Sequence, residues 1–254
     1  MCLVVAALGV STRYELLFAA NRDERHARPS EAAHWWPDMP SIFGGRDLLA
    51  HGTWLAVDRS GRLGGVTNFR DASAAAAPLS RGALVADYLR GMQPPDQFAA
   101  ALDERGNDYG PFSLLLRERG ALRIASNRAP QAELGAGVHA LSNAAYGVEW
   151  PKVRSARAGM QRLLETRDPV DALFALLADR AAAASSEERY IASHFVDGPV
   201  YGTRSSTVIV IGREGQLTFA ERSFDAGARI TNEVRESFAL ERLGTRSASA
   251  AESV

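Results

Sequence analysis

The beginning of the chain has the clearest hydrophobic pattern. Two apolar runs, at 3–10 and 14–20, flank the short polar segment 11–13, which is typical of a β-hairpin. In the first run, positions of both parities are apolar, as in a strand that is covered on both faces. The sequence therefore predicts a sheet that lies between other layers.

Further strands and helices follow in short groups. One hairpin is predicted from the runs 53–57 and 62–67, and another from 207–211 and 217–221, each with a Gly-containing turn. The other predicted elements are helices at 80–90, 96–104, 153–164 and 169–180, and strands at 112–117, 122–126 and 138–141.

Proline, glycine and small polar residues indicate where regular structure stops. The segment 35–46 contains two prolines and two glycines and is predicted to be a rigid loop. Asp168 is expected to cap a helix that begins at Pro169. Since no long linker divides the chain, we expect one domain at 1–243, followed by a disordered tail at 244–254.

Composition narrows the class of protein. With 254 residues and 46% hydrophobic residues, the chain can bury a sizeable core. The net charge of −1 gives no electrostatic basis for a nucleic-acid partner. No apolar run has the length of a membrane span, and the N-terminus lacks the basic region of a secretory signal. We therefore expect a soluble, cytoplasmic protein.

Cysteine and histidine argue against two kinds of site. Cys2 is the only cysteine, so an internal disulfide is excluded, which fits a reducing compartment. The five histidines are not spaced from Cys2 or from one another as metal ligands usually are. Neither a metal nor another cofactor is expected.

Cys2 is the leading catalytic candidate. Removal of the initiator Met would leave it with a thiol and an α-amine on adjacent atoms. Because their reference pKa values are about 8.5 and about 7.7–8.0, the amine can accept the thiol proton near neutral pH. The alternative is that Cys2 is a small, buried and inert residue at the start of a strand.

The charged segment 21–25 is expected to lie beside Cys2. The turn of an antiparallel hairpin fixes its register, so a turn near Ser11 places Cys2 opposite the end of the second strand. A guanidinium there would favour the thiolate, and a carboxylate could hold or orient the amine. The alternative is an ordinary solvated loop.

Short motifs in a fixed order give the chain a family resemblance. They are Met1-Cys2, Asn21-Arg-Asp-Glu24, Gly44-Gly-Arg-Asp47, Gly52-Thr-Trp-Leu55, Thr67-Asn-Phe-Arg70, Ser80-Arg-Gly82, Ser142-Asn143, Trp150-Pro-Lys-Val153 and Tyr201-Gly-Thr-Arg-Ser-Ser-Thr207. From residue 1 to about 224 the chain resembles the NRDE family, also called the transport and Golgi organisation 2 family. That family is similar to N-terminal nucleophile hydrolases of the bile-salt hydrolase and penicillin V acylase branch. The resemblance implies an α+β fold, an αββα four-layer sandwich of two mostly antiparallel sheets.

The resemblance also implies roles for residues near the N-terminus. Cys2 matches the nucleophile of the acylase branch. Arg22 and Asp23 resemble its Arg and Asp, which position the nucleophile and its amine. In the acylase pattern those two residues are further apart, whereas here they are adjacent, so whether one or both face the thiol stays open.

Three further residues match the acylase site. Asn68 resembles the strand-end residue whose backbone N–H helps to form the oxyanion hole, and Asn143 resembles the Asn whose side-chain amide completes it. Arg204 resembles the second arginine. Each has an ordinary alternative, because Asn at a strand end is often a turn former and Arg is often a surface cation.

The implied function is hydrolysis of an amide or ester bond in a small, acylated substrate through an acyl-enzyme. Trp35, Trp36 and Trp54 could line an apolar acyl pocket or pack in the core. Since the resemblance extends to haem and lipid homeostasis, the alternative function is a non-catalytic handling protein for haem or lipid-like metabolites on the same scaffold. In a third interpretation, Cys2 is inert and the chain is structural.

Overall fold

The computed structural model describes residues 3–71, 77–182 and 185–241. Its strands are β1 (Leu3–Leu8), β2 (Tyr14–Arg25), β3 (Ser30–Trp36), β4 (Met39–Asp47), β5 (Leu55–Asp58), β6 (Leu63–Asn68), β7 (Phe112–Glu118), β8 (Ala121–Ser126), β9 (Ala132–Leu134), β10 (Gly137–Leu141), β11 (Tyr201–Gly212), β12 (Gln216–Phe224) and β13 (Ile230–Ala239). Its helices are α1 (Arg81–Arg90), α2 (Pro95–Ala100), α3 (Leu102–Arg105), α4 (Pro151–Leu163), α5 (Pro169–Leu177) and α6 (Ser186–Ala192).

The strands form two sheets in which every neighbouring pair is antiparallel. Sheet one has the order β10-β1-β2-β11-β12-β13, and sheet two has the order β3-β4-β5-β6-β7-β8-β9. Helices α4 and α5 pack on the outer face of sheet one, and α1 and α2 pack on the outer face of sheet two. The layers are therefore helix, sheet, sheet and helix, which confirms the predicted α+β sandwich.

Three apolar clusters hold these layers together. The inter-sheet core lies between the two sheets and includes Phe18, Phe43, Ile209 and Phe219. A second cluster joins sheet two to α1 and α2, and a third joins sheet one to α4 and α5. Strand β1 contributes alternate side chains to the inter-sheet core and to the third cluster, because successive side chains of a strand point to opposite faces.

The N-terminal hairpin forms as the sequence predicts. Leu3 pairs with Asn21 at its open end. In the turn, the Ser11 hydroxyl accepts the N–H of Tyr14 at 3.2 Å and donates to the Leu164 carbonyl at 2.7 Å. The turn is thereby tied to the helical layer, which fixes the register of β1 against β2. Cys2 itself lies outside the described residues.

The rigid loop predicted at 35–46 is wrong, because this segment forms the end of β3 and most of β4. A Cβ on Gly45 would overlap the ring of Trp54, so glycine serves close packing in a strand here and does not mark a turn. Trp36 donates its indole N–H to the Gly44 carbonyl at 2.9 Å, which stabilises the pairing of the two strands.

Other differences are smaller. Strands β9 and β13 and helix α6 were not predicted. Strand β13 lies at the edge of sheet one, and only its side chains Val234 and Phe238 pack against the inter-sheet core, so its hydrophobic pattern is weak. Helix α5 begins at Pro169 as predicted, but Asp168 makes no side-chain capping bond. The predicted tail lies outside the described residues, and the one-domain boundary stays a prediction.

No helix in the described ranges is long and apolar enough to cross a membrane.

We predict that Phe219→Ala destabilises the protein strongly. Phe219 is fully buried, its ring centroid lies 5.1 Å from that of Phe43 in the other sheet, and such truncations cost about 3–5 kcal/mol. The matched control is Phe238→Ala on the edge strand, where the ring is only partly buried and the expected loss is about 1 kcal/mol. Urea denaturation of both variants measures the free energy of unfolding. Equal losses would contradict this account of the core.

Candidate active site

Arg22 lies between the two sheets at the end of the inter-sheet core. Its guanidinium stacks on the ring of Trp54, the residue immediately before β5 of sheet two, 4.1 Å from the centroid. Its Nη1 donates to the Ser30 hydroxyl at 3.4 Å, and its Nη2 lies 4.0 Å from the Asp47 carboxylate. Burial lowers the pKa of Arg22, and the carboxylates of Glu24 and Asp47 oppose this shift. Because an arginine guanidinium stays protonated in proteins, Arg22 remains a cation.

Asp23 is held by strand β11. Its Oδ1 accepts a hydrogen bond from the Thr203 hydroxyl at 2.7 Å, and that hydroxyl oxygen accepts the N–H of Val196 at 2.9 Å. The Tyr201 hydroxyl donates to the Asp23 carbonyl at 3.3 Å. These hydrogen bonds fix the orientation of the Asp23 carboxylate, and Asp23 is almost fully buried.

Both Arg22 and Asp23 line a cavity of about 90 Å³, which we call the front pocket. Asn68 also lines it, so three of the six residues singled out from the sequence meet there. Its lining residues are Arg22, Asp23, Glu24, Arg28, Asp47, Thr53, Trp54, Val66, Asn68, Ser80, Arg81 and Gly82. The charged side chains of both signs make it a polar site and not an apolar acyl pocket, which was one of the two interpretations of the tryptophans.

The wall of this pocket depends on a close approach of two backbone segments. A Cβ on Gly52 would lie 2.5 Å from the backbone carbon of Gly82, closer than packed atoms allow. Thr53 donates its N–H to the Gly82 carbonyl at 3.2 Å, and the Ser80 hydroxyl accepts the Gly82 N–H at 3.3 Å. These contacts hold the start of α1, including Arg81, against the start of β5.

The backbone N–H of Asn68 is aimed at the same pocket. Val66 donates its N–H to the Trp54 carbonyl at 2.9 Å, and Phe69 donates its N–H to the Pro111 carbonyl at 3.0 Å. Because N–H groups along a strand alternate between its two neighbours, the Asn68 N–H points to the same side as that of Val66. On that side Asn68 has no partner residue in β5, because β5 starts at Leu55 and pairs with β6 only up to Gly65. The front pocket, which Asn68 lines, is next to this unpaired end of β6.

Asn143 is bonded directly to Asn68. Its Nδ2 donates to the Asn68 carbonyl at 2.8 Å, and its Oδ1 accepts from the Tyr190 hydroxyl at 2.8 Å. The ring of Tyr190 in turn faces the buried ammonium of Lys152, with 4.6 Å between Nζ and the ring centroid. The structure thus brings the two asparagines together, and the hydrogen bonds to Asn68 and Tyr190 fix the orientation of the Asn143 amide.

Arg204 is placed differently from the other predicted site residues. It lies at a break in the register between β11 and β2, and its Nη1 donates to the carbonyls of Arg25, His26 and Arg28 at 3.0, 2.8 and 3.0 Å. Its side chain therefore holds the β2–β3 turn, and it does not line the front pocket.

Several charged residues of the front pocket, among them Arg28, Asp47 and Arg81, have no role assigned from the sequence, whereas Trp54 is one of the tryptophans expected to line a pocket or pack in the core. Arg28 forms an ion pair with Asp47, with 2.8 Å between Nε and Oδ2, and Arg81 and Trp54 complete the wall. The sequence contained a signal for these residues, since Asp47, Trp54 and Arg81 each lie in a motif that carried the family resemblance.

The other two candidate tryptophans pack in the core. Trp36 is buried in the apolar cluster between sheet two and its helices, and Trp35 packs against the inter-sheet core.

A second cavity lies on the other side of the Arg22–Trp54 stack. It measures about 250 Å³, and we call it the inner pocket. Its lining residues are Arg22, Ser30, Glu31, Ala32, Trp54, Arg204, Ser205, Glu221, Ser223, Phe224, Thr231 and Asn232. The two pockets share Arg22 and Trp54, so this pair separates them.

Glu221 is a fully buried carboxyl group in the inner pocket. It accepts the N–H of Ala33 at 2.9 Å and the hydroxyl of Thr207 at 2.9 Å. Burial raises the pKa of Glu221, and these two hydrogen bonds and the charge of Arg22 oppose the shift. The neutral acid is therefore favoured relative to an exposed glutamate.

Within the described ranges, no group of three His, Cys, Asp or Glu side chains is arranged to hold a metal ion.

Comparison with known proteins identifies relatives over most of the chain. The model of the Transport and Golgi organisation 2 family matches residues 1–226. The chain is 33% identical over 242 residues to the Transport and Golgi organization protein 2 homolog of Bos taurus, covering 83% of this chain and 87% of the relative. The human homolog is 28% identical over 245 residues, with the same coverage.

Among solved structures, the chain is similar to a variant of conjugated bile acid hydrolase from Clostridium perfringens. The TM-score is 0.53 at 9% identity, covering 94% of this chain and 97% of that chain. At this identity the likeness concerns the fold alone, which is that of N-terminal nucleophile hydrolases.

We predict that Glu221→Gln removes a pH-dependent loss of stability. A glutamate whose pKa is raised by folding stabilises the protein fully below its unfolded pKa, and this stabilisation is lost as the pH rises through the folded pKa. Glutamine keeps an acceptor for the Ala33 N–H but cannot ionise. As the pH rises above about 4.3, the reference pKa of glutamate, the free energy of unfolding of the variant should therefore increase relative to that of the wild type.

Urea denaturation at several pH values measures this difference. Glu31→Gln is the matched control, because the Glu31 side chain is 53% exposed and should leave the pH dependence nearly unchanged. A wild type that gains stability relative to Glu221→Gln at high pH would contradict the raised pKa.

Proposed function

The chain belongs to the Transport and Golgi organisation 2 family, and from that premise we propose that it is an N-terminal-cysteine hydrolase. The proposed reaction cleaves an amide or ester bond of a small acylated molecule through an acyl-enzyme. The observation that carries the proposal is the convergence of Arg22, Asp23, Asn68 and Asn143 at the open end of the β1–β2 hairpin.

The register of this hairpin supports a role for Cys2. Leu3 pairs with Asn21, the residue before Arg22, and the Cα of Cys2 is about 3.8 Å from that of Leu3 by covalent geometry. The even-numbered side chains of β1 face the inter-sheet core, as does Arg22. The proposal that Arg22 acts on the Cys2 thiol rests on this register and on this shared face.

In the proposed reaction the α-amine of Cys2 takes the thiol proton, and the thiolate attacks the carbonyl carbon. The new C–S bond sends the carbonyl electron pair onto oxygen. Collapse of this intermediate breaks the C–N or C–O bond, and the leaving group takes the proton from the ammonium. Water, deprotonated by the amine, then attacks the thioester and releases the carboxylic acid and the thiol.

The two asparagines are suited to stabilise the oxyanion. The Asn68 N–H points to the front pocket, and the Asn143 amide is bonded to the Asn68 carbonyl, so both donors are fixed before substrate binds. A preorganised donor of this kind typically contributes about 2.7–4 kcal/mol to the transition state.

The alternative, a carrier of haem or lipid-like metabolites, fits the described lining less well. Six charged side chains line the front pocket: Arg22, Asp23, Glu24, Arg28, Asp47 and Arg81. A large apolar ligand requires mainly apolar walls. Titration with haem, followed at the Soret band, tests this alternative directly.

The decisive experiment for the proposed function is a screen of acyl amides and esters with the wild type and Cys2→Ser, combined with intact-mass measurement. We expect hydrolysis by a chain that begins at Cys2, and its loss in Cys2→Ser without a change in circular dichroism. A functional chain that retains Met1 would rule the mechanism out, because an acylated amine cannot act as the base. Hydrolysis that persists in Cys2→Ser would also overturn it.

We further predict that Arg22 accelerates alkylation of Cys2 by iodoacetamide at pH 6.5. A nearby guanidinium lowers the pKa of a thiol below about 8.5 and raises the thiolate fraction. Arg22→Met, which keeps a long unbranched side chain but removes the charge, should slow the reaction about tenfold for each unit by which the thiol pKa rises.

Arg22→Lys is the matched control and should keep most of the rate, because it retains a cation. The rate is followed by mass spectrometry from pH 5.5 to 9.5. The same alkylation midpoint in the wild type and both variants would show that Arg22 does not act on the thiol.

A further inference from the structure

Between the two sheets, the buried side chains change from apolar to polar at the inner pocket. Along β11, Ile209 is apolar and Thr207 and Ser205 are polar, and all three positions share the parity that faces the other sheet. Along β12, Phe219 is followed on the same face by Glu221 and, at the pocket, by Ser223. Burying polar side chains is costly unless they find hydrogen-bonding partners.

Two hydrogen-bonding atoms in this region lack such partners among the described residues. The Ser205 hydroxyl and the Trp54 indole N–H are buried and make no hydrogen bond within the described ranges. Ser205 is 4% exposed and Trp54 is 6% exposed, and both line the inner pocket. An unsatisfied buried group of this kind is destabilising, so a ligand that accepts hydrogen bonds from both groups would be bound more tightly.

The remaining groups of the pocket favour an acceptor as that ligand. Arg22 and Arg204 both line the pocket, and the Arg204 Nη1 donates to backbone carbonyls. The two Glu221 oxygens already accept hydrogen bonds from Ala33 and Thr207. The raised pKa of Glu221 weakens its repulsion of an anion.

We propose that the inner pocket binds a compact oxyanion, a carboxylate or phosphate group of a small molecule, between the Arg22 guanidinium, the Ser205 hydroxyl and the Trp54 indole N–H. A volume of about 250 Å³ is below the range of about 300–1,000 Å³ that drug-sized ligands occupy. The site does not require Cys2 chemistry, so it stands or falls separately from the proposed hydrolysis.

The test follows the indole N–H resonance of Trp54 in ¹⁵N-labelled protein, assigned with Trp54→Phe. The probes are sodium acetate, inorganic phosphate and acetamide, the uncharged isostere of acetate, all at constant ionic strength. We expect a saturable shift with at least one of the two anions and none with acetamide. The relative affinities of acetate and phosphate identify which oxyanion the pocket prefers.

Ser205→Ala removes one donor while leaving Arg22 and Trp54 in place. Because a hydrogen bond to a charged group contributes about 1.5–3 kcal/mol, the variant should bind the preferred anion at least tenfold more weakly. Ser113→Ala is the matched control: the Ser113 hydroxyl is also buried without a described partner, but it does not line the pocket. Neither variant should lower the melting temperature, since each removes an unsatisfied hydroxyl.

The outcomes are distinct. No saturable shift with either anion, an equal shift with acetamide, or unchanged affinity in Ser205→Ala would overturn the oxyanion site. The same titration is run with Cys2→Ser, where retained binding supports a site independent of the nucleophile. A blank acyl screen leaves this result unaffected, whereas an active hydrolase without the Trp54 shift would refute only the inner pocket.

Discussion

The stack of Arg22 on Trp54 is the interaction on which the described site depends. It joins sheet one to sheet two at the point where the inter-sheet core ends, with 4.1 Å between the guanidinium carbon and the ring centroid. Burying a cation there carries a desolvation cost, which lowers the pKa of Arg22. The aromatic face and the nearby Asp47 offset that cost, since a desolvated cation–π contact contributes about 2 kcal/mol or more.

Because the stack spans the gap between the sheets, it also divides the polar end of the molecule into two pockets. The front pocket contains Asp23 and Asn68, and the inner pocket contains Glu221 and Ser205. Arg22 thereby lines both pockets. The supporting contacts come from distant parts of the chain: Gly45 leaves room for the Trp54 ring, and the Gly52–Gly82 contact fixes the wall around it.

The comparisons and the geometry contribute different kinds of information. Similarity over residues 1–226 places the chain in its family, and the likeness to a bile acid hydrolase at 9% identity concerns only the layered fold. Neither assigns a reaction. The chemical argument comes from the side chains, in particular from Asn143, whose amide is held by Asn68 on one side and Tyr190 on the other.

Local pattern was sufficient to predict the N-terminal hairpin, because two apolar runs around Ser11 define strands and a turn without reference to the rest of the chain. The family motifs pointed to the layered fold and to Arg22, Asp23, Asn68 and Asn143. The pattern failed at 35–46, where the two glycines do not mark a turn: Gly44 lies against Leu55 and Ala56 of β5, and Gly45 leaves room for the Trp54 ring. The contacts that require glycine there come from residues elsewhere in the sequence.

Tertiary structure alone decided which candidate residues meet and what each contacts. Arg204 matched a catalytic pattern, but the register break in β11 directs it to the carbonyls of the β2–β3 turn. The inner pocket could not be predicted from the sequence, since Ser205 and Glu221 lie on different strands and Trp54 lies immediately before a strand of the other sheet. Sequence determines which chemical groups are available and which segments form strands. Their alignment depends on register and on the packing of one sheet against the other, which are properties of the whole chain.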